Sequence, residues 1–127
     1  MSNDKLMKLV DAYLAAYRAQ DADGCARAFT ADGALFSPFG PPARGRAAIA
    51  KTHSEWFTLQ EEDKCLEVSE FCENGESGHC LLSWSARVPN KEEPGGFTTE
   101  SGLSLCVLAV TGDEMLIHRL ALVPEFD

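Results

Sequence analysis

The spacing of apolar residues changes once along this chain of 127 residues, and that change restricts the fold more than any other feature. Before Lys64, apolar side chains recur at the three- and four-residue spacing of amphipathic helices. From Lys64 onward the pattern is that of strands in four segments: KCLEVSEFCE, HCLLSWSARV, FTTESGLSLCVLAV and MLIHRLALV. Hairpin-type connections, NGESG, PNKEEPGG and TGDE, separate them. Helices followed by antiparallel strands predict an α+β domain, with three N-terminal helices packed on a curved, mostly antiparallel sheet.

The segment before Lys64 contains three predicted helices. The apolar face of the first comprises Leu6, Val10, Tyr13, Leu14 and Tyr17. Because Asp side chains accept hydrogen bonds from free backbone N–H groups, QDADG predicts a break and then a short second helix that carries Cys25 and Phe29. ADG is expected to turn the chain into the strand ALFS. PFGPP excludes regular structure, and GRAAIAKTHSEWF then predicts the third helix.

Length and charge limit the class of protein. The length fits one domain, which we assign to residues 1–127. With 11 basic against 20 acidic residues, the formal charge of −9 would repel phosphate backbones and anionic membrane surfaces. We therefore expect no nucleic acid or membrane partner. The first residues lack the apolar core of a secretory signal, so the expected location is cytoplasmic.

The five cysteines form no C-x-x-C pair, which favours reduced and mostly buried thiols. His79 and Cys80 are the only adjacent pair of soft-metal ligands, and a tetrahedral site would need further ligands within reach. There is no G-x-S-x-G, H-E-x-x-H or phosphate-binding glycine loop. The sequence predicts neither a metal site nor a cofactor.

The series LVDAYLAAYRAQDADGCARAFTADGALFSPFGPPARGRAAI, followed by the four-stranded meander, resembles the nuclear transport factor 2-like superfamily, in its SnoaL-like and ketosteroid-isomerase-like branch. The resemblance spans essentially the whole chain. It implies a cone-shaped half-barrel with a deep, apolar central pocket between helices and sheet. It also implies a homodimer formed through the sheet.

The ketosteroid-isomerase pattern matches this chain only in part. That pattern has a tyrosine eight residues before the aspartate that ends the first helix, as Tyr13 precedes Asp21. Its general-base aspartate would stand at Ser37, and its strand carboxylic acid at Cys106. Proton abstraction beside a ketone needs a base, which a neutral serine does not supply alone. Steroid isomerisation is therefore not the leading interpretation.

The SnoaL-like cyclase pattern also matches in part. It has a histidine and then an acidic residue two positions later on the last strand, which correspond here to His118 and Leu120. A histidine on the pocket face could shuttle a proton near neutral pH. His118 could equally be a core histidine with a satisfied hydrogen bond.

Strand alternation gives further candidates. Glu100, Ser104 and Cys106 share one face of their strand, which the resemblance makes the pocket side. Glu100 could pair with His118 or remain exposed beside the preceding loop. His53 and Trp56 would line the pocket mouth or pack on a helix surface, and Trp84 would form a wall of core or cavity.

Two functions from different classes follow. The first is a pocket protein that binds a small hydrophobic or aromatic metabolite, and the proposed ligand-contacting residues are Tyr17, Phe29, Phe36, Phe39, His53, Trp56, Trp84, Glu100, Ser104, Cys106 and Leu120. The second is a cyclase, isomerase or hydratase with His118 as general acid/base and Tyr13 as hydrogen-bond donor to an oxyanion. A dimer would cover the outer sheet face, which is predicted to carry Leu81, Leu103, Leu105, Val107 and Ile117.

Overall fold

Helices precede most of the sheet, as the sequence predicts. A computed structural model describes residues 4–90 and 92–125. Within those ranges the helices are α1 (Asp4–Arg18), α2 (Ala22–Ala26) and α3 (Arg46–Phe57). The strands are β1 (Phe29–Phe36), β2 (Ala43–Arg44), β3 (Glu62–Asn74), β4 (Ser77–Pro89), β5 (Phe97–Thr111) and β6 (Glu114–Pro124). The α+β class and the four-stranded meander are confirmed.

In the described part of the chain the strands form one six-stranded sheet in the order β2-β1-β6-β5-β4-β3. β1 runs parallel to β6, and all other pairings are antiparallel. The hydrophobic core includes Leu6 of α1, Ile49 of α3, Phe29 and Leu35 of β1 and Leu108 of β5. The helices therefore cover one face of the sheet. Within the described ranges, no helix is both long and apolar enough to cross a membrane.

The break between α1 and α2 is confirmed, but the chain leaves the second helix sooner than predicted. The Asp21 side chain accepts a hydrogen bond from the backbone N–H of Gly24, at 3.0 Å, and so caps α2. Phe29 lies in β1 rather than in α2, and ADG lies inside β1 rather than in a turn. The reason is tertiary: the Ile117 N–H donates to the Ala28 carbonyl at 2.8 Å, which anchors this segment to β6.

A β-bulge interrupts β6. Val107 of β5 pairs with Arg119, whereas the next residue, Leu108, pairs with Ile117, so His118 is the extra residue. The alternation of inward- and outward-facing side chains therefore changes phase at the bulge. Ile117 is buried before it and Leu120, three residues later, is buried after it. The bulge decides which side chains of β6 face the helices.

The outer face of the sheet is apolar and open in this chain. Leu105 is 55% exposed and Val107 is 48% exposed, while Leu81 and Leu103 are partly buried beside them. The prediction that Ile117 belongs to this face is wrong, because the bulge turns it into the core, where it is 4% exposed.

Candidate functional site

A cavity of about 680 Å³ lies between α3, the loop after β1 and the inner face of the sheet. We call it the aromatic cavity, because four aromatic side chains line it: Tyr17, Phe39, Trp56 and Trp84. Its aliphatic lining includes Leu35, Leu59 and Leu122, and its charged lining comprises Lys51, Glu55, Glu61, Lys64 and Glu100. Large apolar walls with a few polar groups are typical of small-molecule sites.

Lys64 lies between two aromatic rings of this cavity. Its Nζ is 4.5 Å from the centroid of the Tyr17 ring and 4.6 Å from that of the Trp84 ring. These distances are those of cation–π contacts. Burial lowers the pKa of Lys64, although the carboxylates of Glu61 and Glu100 act in the opposite direction. Burial therefore destabilises the charged form of this amine, while the two ring faces and the two carboxylates favour it.

Tyr17 and Glu61 form a hydrogen-bonded pair at the same place. The Tyr17 hydroxyl donates to Oε1 of Glu61. Burial raises the pKa of Tyr17, and the neighbouring Glu61 carboxylate raises it further, so the phenol stays protonated. Tyr17, Glu61 and Lys64 also line a second cavity of about 270 Å³, together with Arg18 and Phe57 among others. These three side chains thus belong to the walls of both cavities.

Trp84 lines the aromatic cavity and carries a buried hydrogen-bond donor without a partner in the described part of the chain. Trp84 is 7% exposed, and its indole N–H has no hydrogen-bond partner among the described residues. Its ring packs over Gly102, its pairing partner on β5: a Cβ at position 102 would lie 2.8 Å from Cζ2 of Trp84. An unpaired buried donor is costly unless a ligand or water satisfies it.

Tyr13 and His53 form a second polar pair, which is buried in the core. His53 Nδ1 lies 2.8 Å from the Ile49 carbonyl, which only accepts, so Nδ1 carries the proton. Nε2 therefore accepts the hydrogen bond from the Tyr13 hydroxyl, at 2.7 Å. Burial lowers the pKa of His53 to about 4 and raises the pKa of Tyr13 well above its usual value.

This arrangement corrects two expectations. Neither Tyr13 nor His53 is among the described residues that line either cavity. The Tyr13 hydroxyl has one proton, and His53 already accepts it, so Tyr13 is not positioned to donate to an oxyanion in the cavity. The apolar faces of α1 and α3 meet, and both side chains lie inside that contact.

His118 is also placed differently from the prediction, outside the described lining of both cavities. Thr30 donates its hydroxyl proton to Asp32, at 3.0 Å, so its oxygen accepts from Nδ1 of His118, at 3.1 Å. Oδ1 of Asp32 lies 3.6 Å from the same nitrogen. The match to the SnoaL-like cyclase pattern predicts that His118 faces the pocket, whereas in the structure it is the extra residue of the β6 bulge.

Five further predicted ligand contacts lie away from the cavities. Phe29, Cys106 and Leu120 are in the hydrophobic core, and Ser104 is buried. Phe36 is partly buried, with the Arg44 guanidinium 5.5 Å from its ring centroid. Alternation places Ser104 and Cys106 on the inner face as expected, but there they pack beneath the helices rather than line open space. By contrast, the structure places Tyr17, Phe39, Trp56, Trp84 and Glu100 at the aromatic cavity.

Sequence reasoning missed Lys64 and Glu61. The signal for Lys64 is present in β3, where Lys64, Leu66 and Val68 are partly buried and the residues between them are exposed. A lysine in phase with two inward-facing aliphatic residues points toward the core side of the sheet. Glu61 precedes the strand and had no such pattern. Within the described residues, no group of three or more His, Cys, Asp or Glu side chains is arranged to hold a metal ion.

Known proteins are similar to this chain in sequence pattern and in fold. A family model described as a SnoaL-like domain matches residues 10–111. No match is found among curated proteins. A ketosteroid isomerase-like protein from Erwinia carotovora atroseptica is 20% identical, with 98% of this chain and 96% of that chain covered and a TM-score of 0.82.

Two other solved structures are similar. One is an NTF2-like protein with a cystatin-like fold from Novosphingobium aromaticivorans, with 15% identity, coverage of 94% of this chain and 79% of that chain, and a TM-score of 0.77. The other is ActVI-ORFA from Streptomyces coelicolor, with 17% identity, coverage of 96% of each chain and a TM-score of 0.75. At these identities the similarity shows a shared fold.

Proposed function

We propose that this chain, which belongs to the SnoaL-like domain family, binds a small hydrophobic or aromatic molecule in the aromatic cavity. The family includes polyketide cyclases and isomerases, so the function has to be argued from the chain's own cavity. The observation that carries this proposal is the aromatic cavity itself. Its volume of about 680 Å³ falls within the range of roughly 300–1,000 Å³ that is usual for ligand sites.

The chemistry of the lining supports an aromatic ligand with a polar edge. Trp56 and Trp84 offer broad apolar surfaces for stacking or edge contacts. The amine of Lys64 can donate a hydrogen bond to a ligand oxygen. A purely aliphatic ligand would leave this donor unsatisfied, at a cost in affinity.

The proposal can be tested by titration with 2-naphthylmethanol, a neutral aromatic probe, followed by two-dimensional ¹⁵N–¹H NMR. The chain has two tryptophans, and both line the cavity, so both indole N–H signals should shift saturably. Leu122→Phe should weaken binding because it fills part of the cavity. The same substitution on the outer face, Leu105→Phe, is the matched control and should leave affinity unchanged. Unchanged indole signals at saturating probe would contradict the proposal.

The alternative is an enzyme of cyclase, isomerase or hydratase type with His118 as general acid/base. Its geometric requirement is a second polar group that converges with His118 on bound substrate. Instead, Nδ1 of His118 donates to Thr30, and Tyr13 donates to His53. Binding in the aromatic cavity is therefore the better-supported function. The substitution His118→Gln tests the enzymatic alternative.

A further inference from the structure

We infer that Lys64 is a nucleophile: its amine forms an imine with the carbonyl carbon of an aromatic aldehyde or ketone held in the aromatic cavity. The inference rests on the proposed binding function, because the carbonyl compound must first enter that cavity. It adds a covalent step and a chemical class of ligand to the binding of an aromatic molecule.

The position of Lys64 is the first argument. Its Nζ contacts the faces of the Tyr17 and Trp84 rings, and within residues 4–90 and 92–125 it has no ion pair or hydrogen bond. Lys64 is partly buried, and its stem packs along the sheet between the two rings. The amine is therefore positioned in the cavity wall by its contacts with two aromatic rings, and within the described residues its nitrogen is not engaged by an acceptor.

The protonation state of the amine is the second argument. Glu61 before β3, Glu100 of β5 and Cys25 of α2 favour the ammonium form, as do the ring faces of Tyr17 and Trp84. Tyr17 of α1 stays a neutral phenol, and Arg18 donates to the backbone carbonyl of Lys64 at 2.9 Å. Burial nevertheless outweighs the acidic neighbours and lowers the pKa of Lys64. More of the neutral, nucleophilic amine is present than for an exposed lysine.

The reaction balances without an external oxidant or reductant. The nitrogen lone pair attacks the carbonyl carbon, a C–N bond forms, and the C=O π electrons move to oxygen. Nitrogen then loses a proton and oxygen gains one, which gives a carbinolamine. Loss of the second nitrogen proton and departure of the hydroxyl with a proton release water and leave C=N.

The cavity contains groups suited to these proton movements. Glu61 and Glu100 both line it and can accept and return protons. Lys51 offers an internal comparison, since it lines the same cavity but is exposed.

The test is incubation of the unmodified chain with 2-naphthaldehyde and sodium cyanoborohydride at neutral pH, followed by peptide mass spectrometry. Reduction traps an imine as a stable secondary amine. Lys64 should be labelled severalfold faster than Lys51, and a saturating amount of 2-naphthylmethanol should slow that labelling. Lys64→Arg should abolish the fast adduct, whereas Lys51→Arg, the matched control, should retain it.

Site mapping on the unmodified chain makes the result independent of whether Lys64→Arg folds. If 2-naphthylmethanol shifts the indole signals but Lys64 is labelled no faster than Lys51, the imine inference is overturned and the binding function stands. If labelling of Lys64 is fast but 2-naphthylmethanol does not slow it, the reaction is not that of a cavity-bound carbonyl, and the inference is again overturned. If the alcohol neither shifts the signals nor slows labelling, the binding function fails as well.

Discussion

The Tyr13 hydroxyl donates a 2.7 Å hydrogen bond to Nε2 of His53, and this bond joins α1 to α3 inside the core. The other ring nitrogen of His53 donates to the Ile49 carbonyl one helical turn earlier. Both polar ends of the imidazole are thus satisfied without water. The pair is a structural contact between helices, although one of its members occupies a position that the ketosteroid-isomerase pattern marks as catalytic.

Replacement of Tyr13 by Phe should destabilise the fold by about 1–3 kcal/mol, because it leaves the buried Nε2 of His53 without a donor. Urea unfolding monitored by circular dichroism measures the change. Tyr17→Phe is the matched control, since Tyr17 donates to the partly exposed Glu61 and should cost less. Equal stability of Tyr13→Phe and the parent chain would show that the Tyr13–His53 bond contributes nothing to the fold.

Acidification should destabilise the protein through His53. Its pKa is about 4 when folded and 6.5 for the free side chain, so between these values the unfolded chain binds the extra proton. Stability is therefore lost as pH falls from about 6.5 to about 4, by up to about 3 kcal/mol. His53→Gln should remove this part of the pH dependence, whereas His79→Gln, at an exposed site, should not. Parallel stability–pH curves for the His53→Gln and parent chains would contradict the prediction.

Gly102→Ala should destabilise the sheet and disturb the aromatic cavity. The added Cβ would lie 2.5 Å from the Val123 carbonyl oxygen and 2.8 Å from Cζ2 of Trp84. Overpacking of this kind costs about 1–3 kcal/mol. The readouts are the urea midpoint and the Trp84 indole signal, which should move even without ligand. Gly40→Ala is the control, because a Cβ there meets nothing within 4 Å, and equal effects of the two substitutions would exclude this explanation.

His118→Gln should leave the affinity for 2-naphthylmethanol unchanged, because His118 contacts Thr30 and Asp32 rather than the cavity. The NMR titration measures this directly, and Trp56→Ala, at the cavity wall, is the comparison that should lose affinity. Once a reaction is found, loss of turnover in His118→Gln with folding intact would restore its proposed role as acid/base. That loss would be about 10²–10⁴-fold for a general acid or base.

We propose that a second copy of this chain covers the outer face of the sheet. Leu81 pairs with Leu105 and Leu103 pairs with Val123, so these apolar side chains form a continuous patch across three strands. A patch of this kind in water favours self-association. Light scattering at micromolar concentration should therefore give a dimer mass. Leu105→Glu should give a monomer, while Met7→Glu on exposed α1 should not, and a monomeric parent chain would contradict the proposal.

The fold could be predicted from the sequence because its signals are local and repeated. The apolar face of α1, the Asp21 cap and the turns between strands each specify an element with little tertiary help. Phe29 was misassigned because its position in β1 depends on pairing with Ile117, a contact between residues far apart in sequence. Such pairing has no local pattern.

The candidate site could be predicted only in part. Large aromatic residues at helix and strand positions indicated a lined cavity, and Trp56 and Trp84 are indeed there. His118 was misplaced because a bulge is one residue without a side-chain signature, yet it changes the phase of everything after it. Lys64 was missed because a charged side chain is usually exposed to solvent. Only the tertiary packing of Tyr17 and Trp84 over β3 buries it.

Strand β6 contributes both to the core and to the wall of the aromatic cavity. Ile117, before the bulge, packs in the core beside Phe29, whereas Leu122, after it, lines the aromatic cavity. Leu120, also after the bulge, stays in the core and pairs with Leu35 of β1, so the freedom to change is confined to Leu122. A related sequence could enlarge or reshape its cavity at Leu122 while Ile117 and Leu120, which pair with β1, stay the same, so a new ligand preference need not come at the expense of the folded state.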